Sequence, residues 1–184
     1  MTPLLHASAP AIEARIRGNR LLQTHAPWDD ELIYPAYEHN LTLRNVAQSI
    51  AALLGVPLPA PAPLPDEIWS GNAPDVDRVV LFLMDGLGYE YLQAASADNP
   101  SISGAVAALT DGRGSLPLTS VAPSTTAVAL TTLATGRAPA AHAVMGTSLA
   151  LREVSTIVSM LRFRAYLGDA AMDSLLDAGL TVND

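Results

Sequence analysis

The 184 residues are 49% hydrophobic and 15% charged, which excludes a chain disordered throughout and supplies core enough for one ordinary domain. Ten basic residues against 18 acidic ones leave a net charge of -8. No basic stripe is available to follow a phosphate backbone, so nucleic acid is excluded as the main partner, and an anionic substrate would need cations or helix N-termini to receive it. Cysteine is absent, which removes disulfides and thiolate metal sites, so that a transition-metal site would be built from Asp, Glu, His, Ser or Thr.

In chain order, the N-terminus has neither the basic start nor the apolar stretch of a secretory signal, and no segment approaches the roughly 20 apolar residues of a membrane span. A cytoplasmic protein without a membrane partner is the expectation. Residues 1–65 read as a helical preface with a Pro-rich strap, and residues 66–184 as the catalytic unit. Helices are predicted over residues 11–23 and 41–54, the second stopped by Gly55. Pro35 argues against a helix through the acidic, aromatic stretch between them. From 56 to 65 proline alternates with small apolar residues, predicting an extended spacer or a strap across the next unit.

Residues 79–84, Val-Val-Leu-Phe-Leu-Met, are a continuous apolar run of strand length, as expected of a central strand buried on both faces of a parallel sheet. The run stops at Asp85-Gly86-Leu87-Gly88. Short helices follow over 89–97 and 102–109, then a strand over 115–121. Ser124 or Thr125 is a candidate N-cap for a helix that places Thr126 in its first turn and ends at Gly136. A strand over 155–160 and a helix over 168–178 complete the pattern. The chain stops soon after a further α/β unit begins, the mark of a fragment.

An acidic residue at the C-terminal end of a buried strand sits where α/β proteins bind ligands, and Asp85 holds that position. Gly86 and Gly88 would let backbone and ligand approach closely. The competing reading is a plain Asp-Gly turn. Thr126 at a helix N-terminus could receive a phosphate on the first-turn amides and attack it through its hydroxyl, given a base or a metal to activate it. Here the competing reading is a helix cap.

Together, residues 79–88, 120–136 and 138–146 resemble the type I phosphodiesterase/nucleotide pyrophosphatase family of the alkaline phosphatase superfamily. The likeness is close over 79–146 and loose over about 30–180. It implies an α/β, alkaline phosphatase-like sandwich, a largely parallel sheet flanked by helices and incomplete in this chain. It implies metal-dependent hydrolysis of phosphodiester or nucleotide pyrophosphate bonds in a small phosphorylated substrate, through a covalent intermediate. It also implies two divalent metal ions, usually zinc. Asp85 then corresponds to a metal ligand, and Thr126, rather than Thr125, to the nucleophile and a further ligand. His142 matches a histidine that is structural or close to substrate.

The pattern is incomplete. No histidine follows His142; His6, His25 and His39 match nothing; and Asp169, Asp173 and Asp177, four apart, read as the solvated face of the last helix. The remaining ligands of a two-metal centre are therefore missing, and a weakly active or non-catalytic fragment is the alternative. A sulfatase-type or phosphomonoesterase-type hydrolase of the superfamily is the enzymatic rival. Thr125 stands where the sulfatase motif needs arginine, and neither a Gly-x-Ser-x-Gly elbow nor a Gly-rich nucleotide loop is present.

Overall fold

The computed structural model describes residues 9–20, 33–56, 58–68, 76–112, 114–153, 155–165 and 175. They fall into two compact units, residues 1–120 and 121–184. In the first, α1 (Ala9–Gly18) buries Ile12 and Ile16 one turn apart on a single face. Its predicted extension toward residue 23 is cut short at Gly18. There Asn19 turns the chain: its backbone carbonyl accepts the Tyr34 amide at 2.9 Å, and its side-chain amide donates to the carbonyls of Tyr34 and Pro35. Ile12, Ile16, Ala36, Leu41 and Ile68 form the core of the unit. Each large member is worth about 1.5–3 kcal/mol of burial. The Arg17–Glu13 and Arg17–Glu90 ion pairs are exposed and screened by solvent, so the apolar cluster dominates.

The second helix, α2 (Leu43–Leu53), buries a polar face made of Asn45, Gln48 and Ser49. The reason is the Pro-rich strap. Proline has no N–H to donate, so the carbonyls of the strap need donors from elsewhere. Asn45 Nδ2 donates to Ala62 O at 2.8 Å and Gln48 Nε2 to Ala60 O at 3.4 Å, while Ser49 Oγ accepts the Leu64 amide at 2.9 Å. The strap, predicted as a spacer or as a strap across the next unit, is thus stitched to the helix before it. The start of α2 is pinned by Thr119, whose amide donates to Leu41 O at 2.9 Å and whose carbonyl accepts the Leu43 amide at 3.2 Å. This parallel Thr42–Thr119 bridge is what forms of the strand predicted over 115–121.

The largest departure lies at residues 79–84. They form no strand, and Val80, Phe82 and Met84 are 74%, 83% and 62% exposed. A continuous apolar run records what the segment needs on both faces; among the described residues no neighbouring strand supplies it. The expected parallel sheet is therefore not assembled by them. Beyond the run, α3 (Tyr89–Asp98) and α4 (Pro100–Leu109) follow as predicted, α4 capped by Asn99, whose side chain accepts the Ser101 amide at 2.9 Å.

In the second unit, α5 (Thr126–Thr135) is followed by the single turn of α6 (Pro139–His142) and by β1 (Ser148–Leu151), β2 (Thr156–Ser159) and β3 (Arg164–Ala165). The strands form a three-stranded antiparallel sheet in the order β1-β2-β3. Val158 is fully buried in it. The architecture is accordingly α/β, with antiparallel rather than parallel pairing among the described residues. The helix predicted over 168–178, with Asp169, Asp173 and Asp177, lies outside them apart from Leu175. That residue is buried, and its amide donates to Phe163 O at 3.0 Å. Among the described residues no helix is long and apolar enough to cross a membrane.

Gly136 closes α5 at φ 66°, a left-handed conformation, and its amide donates to Thr132 O at 2.8 Å. Gly136→Ala is expected to destabilise the protein by about 1–2 kcal/mol, the penalty of a Cβ in that region. Denaturant unfolding at neutral pH measures it; an unchanged midpoint would show that the cap is not needed.

Candidate active site

Asp85 follows the exposed apolar run and opens a tight turn. Its Oδ1 accepts the Gly86 amide at 2.9 Å, and Gly86 takes φ 76°, which explains glycine at that position. The turn reading of Asp-Gly is therefore present in the structure, and the Asp85 side chain remains exposed. A Cβ added at Gly86 or Gly88 would meet no atom within 4 Å, so neither glycine is required by close packing within the protein. Gly88 is the N-cap of α3, with ordinary extended backbone.

Just past Asp85 the start of α3 lines a cleft of about 350 Å³ with Tyr89 and Tyr91, across from Ile16, Arg17 and Leu118. Arg17 is no phosphate clamp as it stands. Its guanidinium is already held by Glu13 at 2.8 Å and Glu90 at 2.5 Å.

Thr126, half-buried, is the first residue of α5, and Thr125 is its N-cap in extended conformation. Of the two candidate caps the structure selects Thr125 over Ser124. Yet the Thr125 hydroxyl does not cap: Oγ1 is buried without a hydrogen-bond partner. First-turn amides, with the positive end of the helix dipole, are the ordinary receptors of an anion. Ala127 and Val128 behind them are buried, so the backbone that presents Thr126 is anchored.

His142 belongs to the same unit. Its Nε2 lies 3.0 Å from Thr132 Oγ1, on α5, and its Nδ1 accepts the Val144 amide at 3.1 Å. Burial holds its pKa below the ordinary imidazole range. The sequence gives no sign of the Thr132 partnership. Six positions beyond Thr126, Thr132 looks like one more helical threonine, and only its complete burial sets it apart.

Asp85 thus lies in the first unit, and Thr125, Thr126, Thr132 and His142 in the second. His39 is half-buried between the Tyr37 turn and α2; His6 and His25 lie outside the described residues. Among the described residues no three His, Cys, Asp or Glu side chains converge on a metal position. The two-ion centre implied by the resemblance is not assembled by them.

No curated protein and no solved structure matches the chain. The model of one family does, over residues 79–160, a span that contains Asp85, Thr126 and His142. Residues 79–160 are thus similar to the type I phosphodiesterase / nucleotide pyrophosphatase family, which the motifs around Asp85 and Thr126 resemble.

Proposed function

We propose that the protein hydrolyses phosphodiester or nucleotide pyrophosphate bonds, with Thr126 as nucleophile and Asp85 as one ligand of a catalytic cation. The observation that carries this reading is the position of Thr126 as first residue of α5, inside the segment that matches the hydrolase family. The Thr126 oxygen attacks phosphorus, the bond to the leaving oxygen breaks, and the departing group takes up a proton. Water then attacks the resulting phosphothreonine ester, restoring the hydroxyl and releasing the second product. The first-turn amides of α5 are suited to the charge that builds on the non-bridging oxygens. A cation, when bound, supplies Lewis-acid polarisation and charge neutralisation. The other ligands that Asp85 would need do not lie among the described residues.

Hydrolysis of bis(p-nitrophenyl) phosphate with added zinc tests the reading. Asp85→Asn keeps an oxygen for the Gly86 amide, so the turn should persist while the charge is lost. The rate should fall at least about tenfold, or 1.4 kcal/mol of barrier, with an unchanged unfolding midpoint. Equal rates in wild type and Asp85→Asn would remove Asp85 from the chemistry.

A further inference from the structure

His142 ends α6, and its ring bridges two stretches of chain. Because Nδ1 accepts the Val144 amide at 3.1 Å, that nitrogen carries no proton. The neutral ring therefore bears its proton on Nε2 and donates it to Thr132 Oγ1, 3.0 Å away. Thr132 is fully buried within α5, so its hydroxyl has no water to turn to. Between the two contacts sits Ala143, at φ 61°, in the left-handed conformation that turns the chain from α6 toward β1. A non-glycine residue there persists only where its surroundings hold it. The His142 ring, bonded on both sides of that turn, is such a hold.

We propose that His142 is a proton-operated latch: its neutral ring fastens the turn between α6 and β1 to α5, and protonation at Nδ1 releases the turn. The charged ring would present N–H to the N–H of Val144, replacing a hydrogen bond with two opposed donors. Among the described residues of α5, α6 and the turn to β1, no counter-charge is placed to retain it. α5 carries no charged side chain, α6 none besides His142, and residues 143–151 none. Arg137, in the link between α5 and α6, is exposed and of the same sign as the imidazolium. Burial disfavours the cation as well, which lowers the pKa of the ring. With the folded-state value below the unfolded one, the unfolded chain binds the proton first. The stabilisation is complete above the ordinary value of about 6.5 and is lost as pH falls from there through the folded value.

The test is a proton–nitrogen NMR titration of the whole chain from about pH 8 to about pH 5, with hydrogen exchange read at the Val144 amide. The expected result is the Nε2–H tautomer at high pH and a midpoint below that of an exposed histidine. Val144 protection, corrected for intrinsic pH dependence, should drop at least about tenfold in step with that midpoint. His142→Gln, which leaves Nδ1 without a counterpart, should show low Val144 protection at every pH. An Nδ1–H tautomer, or protection that ignores the titration, overturns the latch. The wild-type titration alone decides this even where the variant does not fold.

Discussion

Thr126→Ala is expected to lower phosphodiester hydrolysis by about 10³-fold or more, some 4 kcal/mol of barrier at 1.36 kcal/mol per decade, because it deletes the atom that bonds to phosphorus. Thr126→Ser should keep part of the rate, since the hydroxyl remains at the start of α5. Thr125→Ala is the discriminating control. It removes a buried hydroxyl that has no partner, so neither stability nor turnover should suffer much. Initial rates of the three variants, with mass-spectrometric trapping of the phosphorylated chain during turnover, read the outcome directly. The adduct should map to Thr126 and be missing from Thr126→Ala. Were Thr125→Ala the inactive variant, with Thr126→Ala near wild type, the nucleophile would stand one residue earlier.

The largest expected effect on stability comes from Asn45→Ala. Asn45 Oδ1 accepts from Thr42 twice, from the amide at 3.2 Å and the hydroxyl at 2.7 Å. Its Nδ2 donates to Ala62 O at 2.8 Å and Asn40 Oδ1 at 3.2 Å. Truncation leaves Thr42, itself fully buried, and the strap carbonyl of Ala62 without these partners. Unsatisfied buried groups cost about 1–3 kcal/mol each, so a loss of about 3 kcal/mol is expected in urea unfolding. Ser49→Ala breaks only the bond from the Leu64 amide and the Ser49 bond to Asn45 O, and should cost about half as much. Losses below about 0.5 kcal/mol in both variants would mean that α2 does not hold the strap.

What could be read from sequence follows the range of the forces involved. The helices predicted from 89, 102 and the Thr125 cap were legible because caps and spacing act over a few residues, although α4 starts two residues earlier, at Pro100; α5 ends beside Gly136, and α2 ends two residues before Gly55. Gly18 and Asn19 shortened α1 through a pairing with Tyr34 that no local pattern announces. β1 and β3 were missed for a similar reason: with four residues and two, they exist only through their pairing with β2. At residues 79–84 the apolar run stated a requirement for cover, and sequence cannot say whether that cover is present. For the candidate site, Asp85 and Thr126 were legible as motif residues. The bond between His142 and Thr132 was not, because it spans ten positions and depends on where a ring points after a left-handed turn.

The Pro-rich strap bears on how this protein comes apart. Two of its carbonyls and one of its amides are held by three side chains of a single helix, and its prolines leave it little backbone freedom to gain when released. Strap and helix should therefore separate together, as one step rather than by gradual fraying from residue 58 onward. A protease probing that region would report the opening of α2 itself, because no cleavable stretch of the strap swings free while Asn45, Gln48 and Ser49 remain in place.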